Sequence, residues 1–237
     1  GEVDWNWRPV FNGTVNGVSA SEGNSHVYVA GYFTQLNGGE AFRLANITNP
    51  RQSGGDWTHE PSYVPSSAQT WDLKNERRMW GFQFDVQDAG SSVWLGGTEH
   101  MISRYDKSSM RRTYSAITRE GGDFQDLHLS GKTIYGACHC GDFIYQGATK
   151  IDAEWKNATD AQTIRLVAAF DKDTGQVLPE WAPIMNGAHG YGVWESFVDS
   201  TGTLWVGGDI SKSLGANGVQ DTVGFARYAA RDVTPPE

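Results

Sequence analysis

Gly1-Glu2-Val3-Asp4-Trp5-Asn6-Trp7-Arg8-Pro9-Val10-Phe11-Asn12-Gly13 returns without a gap, 174 positions downstream, as Gly175-Gln176-Val177-Leu178-Pro179-Glu180-Trp181-Ala182-Pro183-Ile184-Met185-Asn186-Gly187. The Gly, Val, Trp, Pro, Asn and Gly of the pattern are common to both copies. In-register recurrence over such a distance marks a modular all-β array, and it places the first residues inside a module.

Four short apolar runs ending in small residues set the period: Val27-Tyr28-Val29-Ala30-Gly31, Val93-Trp94-Leu95-Gly96-Gly97, Ile134-Tyr135-Gly136-Ala137-Cys138 and Leu204-Trp205-Val206-Gly207-Gly208. Each follows a turn containing a glycine, namely Gly23, Gly90, Gly131 and Gly202, which is a hairpin signal. Upstream arms such as Phe82–Val86, Phe124–Leu129 and Val193–Val198 alternate apolar with polar residues, as half-buried antiparallel strands do. Third strands follow at Phe42–Ile47, Met101–Asp106, Leu166–Asp171 and Phe225–Ala230, and the segment ending in Trp-x-Pro would be a fourth. The small pairs are 66, 41 and 70 residues apart, and the shortest interval matches a propeller blade of about 40 to 50 residues. The expected fold is an all-β propeller of about four to five four-stranded antiparallel blades, with insertions near residues 48 to 78 and 141 to 163. Such insertions usually emerge as loops on one face, often the binding face.

Two readings of the N-terminal segment stand side by side. Residues 1 to 9 could supply the outer strand of the last blade and close the ring; alternatively, the chain is a piece of a larger propeller. A single propeller domain is expected over residues 1 to 230, with Arg231–Glu237 a Pro-rich linker toward a further module. With 29 Gly and 8 Pro, helix signals are poor; only a piece near Asp160 and a polar turn at Gln69–Arg78 are candidates. No run of apolar residues is long enough to span a bilayer as a helix. The formal charge of -9 and the lack of a basic stripe argue against a nucleic-acid partner.

Trp7-x-Pro9-x-x-Asn12-Gly13, the run from Val27 to Gly38 and Arg43-Leu44-Ala45-Asn46 together resemble the delta-60-type repeats of bacterial secreted β-propellers. That resemblance covers nearly the whole chain and specifies a fold without a chemistry. It implies a secreted or cell-surface bacterial protein, or a phage tail protein, of which this chain is one part. Cys138 stands where a second Gly is expected, and the second unit lacks the Phe-Thr-x-x-Asn-Gly turn.

Candidate functional residues fall into three groups. In Cys138-His139-Cys140 an extended backbone puts both sulfurs on one face and His139 on the other, so the tripeptide alone is a poor metal site. A disulfide, buried inert thiols, and a metal or redox site all remain open there. Asp85 and Asp126 each lie five residues before a turn glycine, and Glu195 lies seven before Gly202. Equivalent positions of different blades converge on a channel, where Asp85 and Asp126 could hold Ca²⁺ or, with Asp142 and Glu195, supply an acid pair. Their bland alternative is strand capping or pairing with Arg104, Arg165 or Arg227.

The third group is aromatic. Ten Trp and nine Tyr invite a carbohydrate ligand, with Trp57, His59, Tyr63 and Trp71 forming a possible groove and His189 and Tyr191 adding polar and aromatic groups at a strand start. Trp94, Trp181 and Trp205 fit packing between blades instead. Two function classes follow: a non-catalytic adhesion module that takes a glycan or surface protein on its loops, and a polysaccharide hydrolase or lyase. A propeller hosts either.

Overall fold

The computed structural model describes residues 1–5, 7–48, 82–98, 100–118, 122–141, 143–147, 160–179, 181, 183–215 and 218–229. The candidates Trp57, His59, Tyr63, Trp71 and Asp142, the turn at residues 69–78 and the linker at 231–237 lie outside them.

The strands follow the Gly-punctuated apolar runs. The first unit contains β1 (Thr14–Ala20), β2 (His26–Tyr32), β3 (Gln35–Leu36), β4 (Gly39–Glu40) and β5 (Leu44–Thr48). The second is β6 (Gln83–Ala89), β7 (Ser92–Gly97), β8 (Met101–Asp106) and β9 (Arg112–Thr118). Next come β10 (Phe124–Ser130), β11 (Thr133–Cys138), β12 (Phe143–Gln146), β13 (Asp160–Thr163) and β14 (Val167–Asp171). The last unit holds β15 (Ile184–Asn186), β16 (Val193–Val198), β17 (Thr203–Gly208), β18 (Lys212–Gly215), β19 (Gly218–Asp221) and β20 (Phe225–Ala229).

Among the described residues four antiparallel sheets stack as blades, with the orders β1-β2-β5, β6-β7-β8-β9, β10-β11-β14 and β16-β17-β20, while β15-β18-β19 and β3-β4 form sheets of their own. β1, β6, β10 and β16 pack side by side in that sequence as the inner strands. Three blades therefore have three strands where four were expected; in the third, an isolated bridge from Phe170 to Val177 begins a fourth. The segment near Asp160, a helix candidate by sequence, is the strand β13. It pairs with β12, and β12 pairs with β9, so the described parts of the second insertion widen the second blade's sheet to six strands. Pairing through Ile144 and Thr118 satisfies backbone groups that a loop would leave to water.

The N-terminal segment does not join the last blade. Trp7 and Phe11 pack against Val29, Phe33, Leu36 and Ile47 of the first unit. Val10 donates its N–H to Asn37 Oδ1 (2.9 Å), and Asn12 Oδ1 accepts from the amides of Thr34 and Gln35 (2.8 and 3.0 Å). Trp181, the repeat partner of Trp7, meets the Tyr135 ring of the preceding blade and donates from Nε1 to Ala229 O of the last unit. The recurring segment thus sits between blades: Val177 bridges to Phe170 of blade three, while Trp7 and Phe11 pack on the first unit that follows them.

One position in the second strand of each hairpin controls blade stacking. Tyr28, Trp94 and Tyr135 are the second residues of the repeated apolar runs, and each is buried against the blade that follows it. Trp94 meets Phe170 (5.8 Å between centroids, tilted) and donates from Nε1 to Lys172 O. The residues on either side point to the opposite face, so Val93 and Leu95 cover Tyr28 while Leu204 and Val206 cover Tyr135. Trp94→Ala is expected to lower stability by about 3–5 kcal/mol with an unchanged m value in urea unfolding; a loss below about 1 kcal/mol would contradict this packing role.

Candidate functional site

All four inner strands carry a bulge at the same point. Register slips between Val15 and Gly17, Gln83 and Asp85, Phe124 and Asp126, and Val193 and Glu195. The slip re-aims the following side chain, so Gly17, Asp85, Asp126 and Glu195 are structural equivalents. Asp85 Oδ2 accepts the N–H of Leu127 in the next blade (2.9 Å). Asp126 Oδ2 accepts the N–H and hydroxyl of Ser196 in the blade after that (2.8 and 2.5 Å). Two residues on, Ser19 Oγ accepts from Asp88 N and Gln87 Oε1 from Leu129 N (2.9 and 3.4 Å). Each blade thus grips main-chain donors of its successor.

Electrostatics matches this burial. Desolvation, aided by the charges of Asp126 and Glu195, raises the Asp85 carboxyl to about 7 against the opposing N–H groups of Leu127 and Val86. Burial likewise raises Asp126 to about 6, opposed by the Ser196 hydroxyl and assisted by Glu195. Neither carboxyl turns to the Arg residues offered as partners by sequence: Arg104 donates to Thr113, Arg165 to Asn186, and Arg227 lies over the Trp205 ring. Among the described residues no group of three or more His, Cys, Asp or Glu is arranged to hold a metal ion.

The candidate binding site lies between the third and fourth blades. A cavity of about 410 Å³ is lined by His139, Cys140, Arg165, Asn186, Gly190 and Gly192 with their neighbours. Its third-blade wall is the Cys-His-Cys turn. Cys138 and Cys140 are fully buried and joined as a disulfide, which withdraws both thiols from metal or redox chemistry while it lasts. His139 lines the cavity too, its Nε2 3.0 Å from the Gln125 amide nitrogen. A Cβ on Gly192 would sit 2.5 Å from Cys138 O and 2.6 Å from His139 Cα, so glycine is required where the blades touch, at φ +71°.

The fourth-blade wall is a loop gathered by one carboxylate. Asp209 accepts the N–H groups of Ala188, His189 and Tyr191, and His189 Nδ1 lies 3.2 Å from its Oδ1. Desolvation acts to raise the Asp209 carboxyl, but these donors outweigh it and hold it at about 2. His189 and Tyr191 stack at 6.2 Å, and Trp194 Nε1 donates to Tyr191 O. Tyr191 is 59% exposed and Trp194 58%, which leaves their rings at the surface, on the segment whose Gly190 and Gly192 line the cavity. Arg165 Nη1 bridges the walls through Asn186 Oδ1 at 3.0 Å.

Of the residues selected by sequence, the structure brings Cys140 to the cavity lining and His189 and Tyr191 to its edge, and sets Asp85 and Asp126 apart on the inner strands. Arg165, His139 and Asp209 were not proposed as binding residues. The spacing of Gly190 and Gly192 around Tyr191 was the available hint, since paired glycines mark a tight loop.

No family model matches the chain, and neither does any curated protein, so the delta-60 naming has no support from these comparisons. Solved structures with related shape include the computationally designed Ika4 protein, at 9% identity and TM-score 0.44, with 92% of each chain covered. Another is the extracellular domain of BT4673 from B. thetaiotaomicron, at 18% identity and TM-score 0.43, covering 91% of this chain. The chain spans 21% of that protein's length. The WD40 β-propeller domain of Doa1 aligns at 12% identity and TM-score 0.45, over 90% of this chain and 66% of its own. At these identities and scores no site or activity is carried over.

Folded Asp85 and Asp126 titrate above the unfolded value of about 3.9. The stability they confer is therefore full below about pH 4 and is lost as pH rises through about 6 to 7. Asp85→Asn keeps an acceptor and removes the charge, so it should flatten the fall in urea midpoint between acid and alkaline pH; an unchanged slope would refute the assignment. Asp126→Ala, measured at acid pH, should cost about 1–3 kcal/mol by orphaning the Ser196 donors.

Proposed function

We propose that this chain is a non-catalytic binding module of a secreted or cell-surface protein, and that it takes a glycan at the cavity between the third and fourth blades. The observation that carries this reading is the pair of exposed rings, Tyr191 and Trp194, on the segment whose Gly190 and Gly192 line a cavity with polar groups. Aromatic rings offer flat apolar faces to a sugar, while His139, Arg165 and Asn186 offer hydrogen bonds that fix its orientation. The described lining contains a guanidinium and no carboxylate, which suits a sugar acid better than a neutral hexose. Asp209 holds the loop before any ligand arrives, and that reduces the ordering cost of binding.

The disulfide fits the proposed extracellular location, since such bonds persist in oxidising compartments. No helix among the described residues is long and apolar enough to cross a membrane. Polysaccharide cleavage by an acid pair has less support, because Asp85 and Asp126 already accept donors from neighbouring blades.

Glycan-array screening followed by calorimetry on hits is the test. Acidic saccharides should bind, and Tyr191→Ala and Arg165→Ala should each weaken binding about tenfold or more, or ~1.4 kcal/mol. An array with no hits, or hits indifferent to both substitutions, would overturn the reading.

A further inference from the structure

We propose that the two ends of the blade arc are the halves of one interface, and that a second copy of this chain docks its first blade onto the fourth blade of the first. The argument is continuity: every feature that joins one blade to the next is present, unmatched, at the ends.

The aromatic position comes first. Tyr28, Trp94 and Tyr135 are buried against the following blade, whereas Trp205, their equivalent in blade four, is only half-buried and faces no further blade among the described residues. Phe225 stacks on it at 5.2 Å and is itself mostly exposed, as is Phe197. The surface that would receive Trp205 belongs to blade one. Tyr135 meets Trp181 edge-on at 4.9 Å, and Trp7 is the residue that repeats Trp181 before blade one.

A small residue then admits the neighbouring strand. A Cβ on Gly96 would lie 2.8 Å from Phe124 Cβ in the next blade. Gly207 holds the same place in blade four, and among the described residues nothing lies within 4 Å of the Cβ position there. Phe124 corresponds to Val15 of blade one across the bulges, and Val15 is 40% exposed although Phe124 and Val193 are fully buried.

The carboxylate ladder supplies the polar half. Asp85 and Asp126 each accept the N–H that follows the equivalent position in the next blade. Glu195 is the next carboxylate in line, exposed at the end, and the N–H it would accept is that of Val18, whose side chain is 60% exposed. Donor end and acceptor end lie on different surfaces, so the contact is head-to-tail and closes into a ring when the accumulated rotation allows. Two four-bladed chains make eight blades, within the range of about four to eight found in propellers.

Sedimentation velocity and light scattering on the 237-residue chain, diluted from high to low micromolar, test this. The expected result is a reversible species of twice the chain mass. Gly207→Arg places a charged side chain into open space, so it should fold with unchanged circular dichroism and run as a monomer; Val15→Asp should do the same from the other end. If Val15→Asp melts the fold, Val18→Asp replaces it. A mixture of the Gly207→Arg chain with the other variant retains one intact pair of ends and should recover a one-to-one dimer. Overturning results are a wild-type monomer at all concentrations, a dimer that survives both substitutions, or a mixture that fails to pair.

Discussion

A buried carboxyl accepting a main-chain N–H from the neighbouring blade is the contact on which this radial arrangement depends. Hydrophobic burial between blades is larger in total but non-directional, and on its own it would let one sheet slide against the next. Asp85 on Leu127 and Asp126 on Ser196 fix the height at which adjacent inner strands meet. Trp94 and Tyr135 then find their pockets because that height is set. The arrangement is reached through a bulge, which turns the residue after it toward the next blade. A group kept partly protonated near neutral pH is the consequence of the same burial.

The hairpins were legible because their signals are local. A glycine turn followed by a β-branched or aromatic run ending in small residues located β2, β7, β11 and β17 directly. The number of such runs was the basis for expecting about four to five blades. The pairing of β12 and β13 with the second blade was hidden, since their partner β9 lies earlier in the chain and no nearby residue records the pairing. The recurring Trp-x-Pro segment was recognised as a repeat, but spacing did not say whether it serves the blade before it or the blade after it, and its second copy reaches back, Val177 bridging to Phe170 of the third blade. Its apolar residues Trp7 and Phe11 find partners in the unit they precede. Sequence spacing could not separate the two, because both choices bury the same tryptophan.

Site residues divide along the same line. Asp85 and Asp126 stood out by their equal distance from a turn glycine, and they are structurally equivalent. What sequence left open was their partner, which proves to be backbone and therefore carries no residue-type signature. Glu195 belongs to the same series although its distance to the turn differs, because the turn in its hairpin is longer. At the cavity, Arg165, His139 and Asp209 come from three separate stretches, brought together only when blades three and four pack. His189 and Tyr191 were chosen for their chemistry, yet it is Asp209 that places them.

The most direct measurement of this account is a carbon-13 NMR titration of the aspartate carboxyls, with the Leu127 and Ser196 amide resonances followed in parallel. Inflections at about 7 and about 6 for Asp85 and Asp126, mirrored by the two amides, are the predicted result. Ordinary midpoints near 4, or amides that do not respond, would contradict a buried carboxyl-to-amide grip between blades.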